Sequence, residues 1–415
     1  MKKTVKLKPY CAKIGSGITP RGGETVYIDS GVALIRSQNV YNGSFMQQGL
    51  AFVDNDIAQK MRGVTLEKND ILLNITGDSV ARCCMVPEDF LPARVNQHVS
   101  IVRTNKEKLD SQFLMYYLIS PIMQSRMLSL AGSGGTRKAL TKEMIEDFEI
   151  PLIDLPRQQN VSSILFTYDN LIDTNRRRIQ LLEEAARLLF REWFVYFRFP
   201  LRLRSGQAGY EVETQNLASV RIVDGMPVGW GREKLNKYVS FKRGVEPGSD
   251  NYLETQEIDT YPFYRVSDLV TRKPEIFVDE LHTKGALLEK KDIVVSLDGS
   301  VGIVSMGLDG CYSTGIRKLV TKGKRINRSF LYYLMKSHYI QGIINAYAKG
   351  TTIQHAGESI KHMNPILPPQ SLMDKFGEVV DPILNGILTL LDQNQKLAQA
   401  RDLLLPRLMS GAIVP

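Results

Sequence analysis

Arg36 and Arg265 stand in matching surroundings. Ser37, Gln38 and Asn39 follow the first, and Ser267 and Asp268 follow the second. Arginine reads guanine through a two-pronged hydrogen bond, and asparagine or glutamine reads adenine the same way. Other clusters carry similar donors and acceptors. Asn96-Gln97-His98 adjoins a strand-like run at 99–102. The loop after Gly135 brings Thr136, Arg137 and Lys138, and the loop after Gly350 brings Thr351, Thr352, Gln354 and His355. Hydroxyls and cations in loops suit phosphates or base edges. Each of these residues also admits a structural role. Arg36 and Arg265 can be ion-pair residues at a core rim, and the histidines can be hydrogen-bonded rather than catalytic.

Catalytic constellations are harder to find. No G-x-x-x-x-G-K-[ST] loop is present, and no G-x-G-x-x-G follows a strand. Asn364-Pro365-Ile366-Leu367 and Asp381-Pro382-Ile383-Leu384 lack the second proline and the aromatic of an adenine methyltransferase motif. Asp279 with Glu289-Lys290-Lys291 mimics a metal-dependent nuclease, but the first half of the chain has Glu67-Lys68-Asn69, without the last lysine. The 4 cysteines, Cys11, Cys83, Cys84 and Cys311, form no C-x-x-C pair, and the 5 histidines have no zinc spacing. The expectation is a reduced protein that binds no metal and carries no cofactor of its own.

These residues must be positioned by a chain of 415 residues, enough for about two to three domains. Its 43% hydrophobic and 23% charged residues describe an ordinary globular protein. No window approaches a membrane-spanning length of about 18 apolar residues, and the basic start has no apolar stretch behind it. A cytoplasmic protein with no membrane partner is expected. The net charge of +9 favours a polyanionic partner, of which nucleic acid is the usual one. Residues 1–156 and 210–369 each carry a net +3.

That equal sharing reflects a repeat. Gly17-Ile18-Thr19-Pro20 matches Gly244-Val245-Glu246-Pro247, and 35–40 matches 264–269. The run from Asp70 to Gly77 matches that from Asp292 to Gly299, Phe113-Leu114-Met115-Tyr116 matches Phe330-Leu331-Tyr332-Tyr333, Gly135-Thr136 matches Gly350-Thr351, and Pro156 matches Pro369. Six matches in one order, at offsets drifting from 227 to 213 residues, indicate two copies of one unit. In each copy a short apolar run (71–75, 293–297) reads as a buried strand. The runs 113–130 and 330–348 read as helical, with Pro121 breaking or kinking the first.

The end of each copy reads as a long helix. From 157 to 199 there is neither Gly nor Pro, and apolar rows recur every seven residues through Val161, Leu165, Ile172, Leu182 and Ala186. The second copy reads Phe376, Ile383, Leu390, Leu397, Leu404 in one row and Val380, Ile387, Asn394, Arg401, Leu408 in the other. Such rows form a coiled-coil seam, and the polar seam residues Asn175, Asn394 and Arg401 would fix its register. Pro382 and Gly386 should kink or start the second helix, and Pro406 should end or bend it. Residues 201–213 read as the linker between copies.

With those motifs in view, the chain resembles the specificity (S) subunit of Type I restriction–modification systems over essentially its full length. Lys13-Ile14-Gly15-Ser16-Gly17-Ile18-Thr19-Pro20 with Ile35-Arg36-Ser37 looks like the opening of a target recognition domain, and Pro227-Val228-Gly229-Trp230 with Leu235 like the entry to a second. Asn175-Arg176-Arg177-Arg178 through Phe190-Arg191-Glu192-Trp193-Phe194 looks like the central conserved helix. Arg401-Asp402-Leu403-Leu404-Leu405-Pro406-Arg407-Leu408-Met409-Ser410-Gly411 looks like the distal conserved region. The family's Pro-x-x-Glu-Gln helix opening appears as Pro156-Arg157-Gln158-Gln159 and Pro369-Gln370-Ser371-Leu372.

The resemblance implies a mixed α/β (α+β) fold with two target recognition domains separated by a long antiparallel two-helix coiled coil. The expected segments are recognition domains at 1–155 and 206–368 and long helices at 156–205 and 369–415. It implies a non-catalytic subunit that reads a split, asymmetric site in double-stranded DNA. Two modification subunits would dock on it, and two restriction subunits through them. S-adenosylmethionine, ATP and magnesium would belong to those partners. Two rival readings remain: a metal-dependent nuclease using Glu289 and Lys291, and a coiled-coil assembly scaffold.

Overall fold

The computed structural model describes residues 4–132, 138–199, 202–205, 210–213, 222–223, 226–350 and 354–413. The chain divides into two compact units, Met1–Asp173 with Gln395–Pro415, and Thr174–Asn394.

In the first unit a four-stranded antiparallel sheet has the order Cys11–Ser16, Val99–Thr104, Ile71–Asn74, Cys83–Met85. The second unit repeats it with Val239–Arg243, Ile316–Thr321, Ile293–Ser296 and Val304–Ser305. Each unit adds a second sheet containing one parallel pair, three-stranded with Leu34↔Arg94 in one and four-stranded with Phe263↔Cys311 in the other. Ile71–Asn74 and Ile293–Ser296 are buried along their whole length, as their mostly apolar character requires.

The repeat reaches individual contacts. The Glu67 N–H donates to Asp70 at 2.8 Å and the Glu289 N–H to Asp292 at 2.7 Å, closing the same turn before the same strand. Asp70 then pairs with Arg103 at 2.7 Å, and Asp292 with Lys318 at 2.6 Å. Gly17 and Gly244 explain their shared motif. A Cβ on Gly17 would lie 2.1 Å from the Val95 carbonyl oxygen, and one on Gly244 2.2 Å from that of Tyr312.

After Ile71–Asn74 and its partners, each unit turns helical. Pro121 does break the first helical run, giving Ser111–Ile119 and Pro121–Gly132. The run 330–348 also breaks, because Ser337 caps a new helix, His338–Ala346, by accepting from the Ile340 N–H.

The long helices are Leu155–Phe194, 40 residues, and Gln370–Ser410, 41 residues. Gln158, nearly fully buried, anchors the first by accepting from the Asp110 N–H at 2.8 Å and donating to the Ile153 carbonyl at 2.9 Å. Within the first unit Val161 and Leu165 share a core with Leu405, Leu408 and Met409, and Arg401 Nη1 donates to Asp169 at 2.6 Å. Within the second, Asn175 Nδ2 donates to Asn394 Oδ1 at 3.0 Å, and Phe194 packs edge-on against Phe376 at 5.0 Å. Numbers rise along one helix as they fall along its partner, so the segments are antiparallel in each unit.

Three expectations need correction. Gln370–Ser410 is uninterrupted through Pro382, Gly386 and Pro406. Pro382 and Glu378, whose carbonyl it leaves unpaired, are exposed to water, and Asp402, four residues before Pro406, is too. Inward-facing Val380, Leu384 and Ile387 hold the helix in place. In the row that starts at Phe376, Phe376 is buried, but further along Leu384 and Leu405 are buried where Ile383 and Leu404 were expected and are half-buried. Of the expected linker, Arg202–Ser205 and Tyr210–Glu213 form an antiparallel strand pair, and 201 and 206–209 lie outside the described residues.

Gly17→Ala and Gly244→Ala should each destabilise the protein by about 3 kcal/mol, because a backbone carbonyl must move. Gly15→Ala, with nothing within 4 Å of its new Cβ, should leave the denaturant midpoint almost unchanged. Equal midpoints for all three variants would refute the close-approach account.

Candidate nucleic-acid interface

In the first unit the loops carrying the candidate residues converge. The Asn96 N–H donates to the Ile35 carbonyl at 3.1 Å, joining the 96–98 turn to the Arg36 segment. Asn74 Nδ2 donates to the Ser37 carbonyl at 2.8 Å, and the Gly77 N–H to the Lys138 carbonyl at 3.2 Å. A cleft results, lined by Ser37, Gln38, Tyr41, residues 76–79, Arg82 and His98. The Arg82 guanidinium lies over the Tyr41 ring at 4.9 Å, so a cation and an aromatic face stand together there.

The second unit gathers the equivalent loops. The Gly299 N–H donates to the Gln354 carbonyl at 2.9 Å, and Asp298 bonds both His355 Nδ1, at 2.8 Å, and Arg317, at 3.2 Å. Gly77 and Gly299 have φ of 74° and 77°, so both turns use the left-handed conformation that glycine adopts freely.

Not every expected residue faces outward. Asn39 is fully buried: its Oδ1 accepts from the Arg36 N–H at 3.0 Å and its Nδ2 donates to the Met46 carbonyl at 2.9 Å. Asp268 is its buried counterpart, accepting from the Arg265 N–H at 2.8 Å. Asn96 is also buried and caps the His98 N–H at 3.2 Å. These three are buried and hold loop backbone in shape. The Arg36 side chain is 18% exposed, donating to the Gly49 carbonyl at 2.7 Å and pairing with Glu24 at 3.3 Å. Arg265 is freer, 42% exposed and 3.5 Å from Glu275.

Gln38, Gln97, Lys138, Ser267, Gln354 and His355 are exposed, and Ser37 and His98 are half-exposed. Thr136, Arg137, Thr351 and Thr352 lie outside the described residues. Tyr41, Thr76, Asp78, Ser79, Arg82, Asp298 and Arg317 were not singled out from sequence. The Gly77 and Gly299 motifs did mark their place, but only as strand ends.

The geometry gives the nuclease reading no support. Asp279 caps a short helix, accepting from the His282 N–H at 2.9 Å, and Glu289 lies in the turn before a strand. Among the described residues no group of three His, Cys, Asp or Glu is placed to hold a metal ion. All four cysteines are free thiols, and burial pushes Cys311 up to about 11, far from a reactive thiolate. No helix among the described residues is long and apolar enough to cross a membrane.

Two copies of one mixed module, each gathering polar loops beside its main sheet, define a duplicated recognition protein. The family model for the Type I restriction modification DNA specificity domain matches the chain twice, over residues 24–184 and 227–397. The chain therefore belongs to the family of Type I restriction–modification DNA specificity subunits. The MjaIX specificity subunit of Methanocaldococcus jannaschii is 27% identical over 320 residues, 74% of this chain and 70% of that one. The HindI specificity subunit of Haemophilus influenzae is 23% identical over an alignment of 442 residues, spanning 92% and 94%. The crystal structure of an S subunit from M. genitalium shares the fold, with a TM-score of 0.58 at 17% identity over 98% of this chain and 96% of that one.

Arg36→Ala should lower unfolding free energy by about 1–2 kcal/mol, because its guanidinium ties two loop segments together. Gln97→Ala, at an exposed turn, should change it by less than about 0.5 kcal/mol. Denaturant melts of both variants check the assignment, and equal effects would remove the distinction between inward and outward residues.

Proposed function

We propose that each unit reads one half of a bipartite, asymmetric site in double-stranded DNA, and that the chain is the non-catalytic part of a larger cytoplasmic complex. The observation carrying this reading is the convergence of equivalent loops beside equivalent sheets in both units. In the first unit the cleft offers Ser37, Gln38, Asp78, Ser79 and Arg82. Hydroxyls, an amide and a carboxylate can match base edges, while Arg82 and the exposed Lys138 suit phosphate or guanine. The net charge of +9 supplies the long-range attraction.

On this reading the long helices connect the copies and offer docking faces to two modification subunits, and through them to two restriction subunits. S-adenosylmethionine, ATP and magnesium act on those partners. The functional segments are two recognition domains, 1–155 and 206–368, with the helical regions 156–205 and 369–415. The rival scaffold reading leaves the converged polar loops without a purpose.

Replacing residues 1–155 with the corresponding domain of a relative tests the proposal. Sequencing of methylated adenines in a host carrying the assembled complex should show one half of the motif changed and the other retained. A motif changed in both halves, or in neither, would overturn independent reading.

A further inference from the structure

The two units hold an imidazole at the same strand end, and they supply it by different routes. Thr76 and Asp298 occupy matching repeat positions, each one residue before the left-handed glycine. Thr76 Oγ1 lies 2.7 Å from His98 Nδ1, and Asp298 Oδ1 lies 2.8 Å from His355 Nδ1. Yet the histidines are not repeat equivalents. The repeat places Gly315 where His98 stands, and a Cβ there would meet Val266 Cγ2 at 2.8 Å. A side chain at that position in the second unit would have to displace Val266. Its imidazole comes from the opposite loop, where His355 bridges Asp298 as Ala139 bridges Thr76.

We propose that His98 and His355 are the corresponding base-reading groups of the two units, held at Nδ1 by Thr76 and Asp298 with Nε2 presented to a base edge. This rests on the DNA-reading function proposed above and names the groups that perform it. His355 is 65% exposed, and its Nε2 has no partner among the described residues. His98 lines the cleft, and its Nε2 is 3.4 Å from the amide of exposed Gln97.

The two holding groups set different chemistry. A carboxylate only accepts, so a singly protonated His355 carries its proton on Nδ1 and offers Nε2 as an acceptor. An acceptor suits the exocyclic amino group of adenine or cytosine. Arg317, on the other oxygen of Asp298 at 3.2 Å, holds that carboxylate in place. A threonine hydroxyl both donates and accepts, so His98 can present Nε2 as either donor or acceptor. One fold position thus yields two base preferences. His98 and His355 are the contacting residues, and Thr76 and Asp298 are positioning residues.

The test uses the full-length chain assembled with its modification subunits and a pool of random-sequence duplex DNA, sequenced after selection. His355→Ala should reduce discrimination about tenfold at one position of one half-site and leave the other half intact. His98→Ala should do the same in the other half. Asp298→Asn, whose amide can donate to Nδ1, should relax the adenine-or-cytosine preference while overall binding persists. If an alanine variant melts early, His98→Gln or His355→Gln replaces it, with a shifted preference at the same position expected. Unchanged preferences in folded variants would overturn the proposal, as would weakening uniform across all sequences, which marks a phosphate contact. A wild-type complex that enriches no motif would instead refute the DNA-reading function itself.

Discussion

Each unit closes its core on segments of both long helices, and the rest of its architecture depends on that closure. In the first unit Ile71, Leu73, Phe113 and Tyr116 share one apolar cluster with Val161, Leu165, Leu405, Leu408 and Met409. Each buried aliphatic side chain contributes about 1.5–3 kcal/mol, so losing the last three would remove much of the net stability of an ordinary domain. Asp169 fastens the arrangement from inside, accepting from Tyr116 at 2.5 Å and Arg401 at 2.6 Å. The unit is therefore incomplete until the final turns of the chain arrive. Loop closure over such a length costs only a little more than over a shorter one, because the entropy grows with the logarithm of length. The burden falls on folding rate, since contacts so distant in sequence form late.

The second copy solves the same problem with altered partners. Tyr333 is the repeat counterpart of Tyr116, but its hydroxyl is buried with no partner among the described residues. Its neighbour Tyr332 donates to Glu183 at 2.7 Å, and Lys336 meets the same carboxylate. Burial, with Glu183 beside it, pushes the Tyr332 hydroxyl well above its usual pKa, so it stays a donor. The tie between recognition module and helix has moved by one residue along the same short helix. Phe190, Trp193, Phe194, Phe330 and Phe376 pack together around it. Aromatic mass does here what aliphatic side chains do in the first unit.

Local signals carried much of the architecture into the sequence. The strands at 71–75 and 293–297 were legible because a short run, apolar but for Asn74 and Ser296, between turn residues suits a strand buried on both faces. The break at Pro121 followed from proline's missing N–H. The same rule misled at Pro382 and Pro406, where the lost bonds face water and apolar neighbours face the core. The phase of the second seam was ambiguous because Ile383 and Leu384, and Leu404 and Leu405, are adjacent apolar residues. Side-chain type cannot show which of two neighbours points inward. The burial of Asn39, Asp268 and Asn96 was not legible for a related reason. Short polar side chains after a strand readily bond nearby backbone, and composition does not separate that use from a ligand contact.

The repeat itself separates the scaffold from the loops proposed to read DNA. Positions that shape the backbone keep their chemistry between copies: Gly17 and Gly244, Asp70 and Asp292, Asn39 and Asp268 each make the same contact twice. Positions along the loops beside the sheet do not. Ser37 becomes Val266, Thr76 becomes Asp298, and the imidazole passes from one loop to its neighbour. A duplicated fold reading one symmetric target would hold both sets alike. Constant framework with divergent loops is the pattern expected when two copies answer to different sequences, because backbone-shaping residues serve the fold and cleft residues serve the ligand.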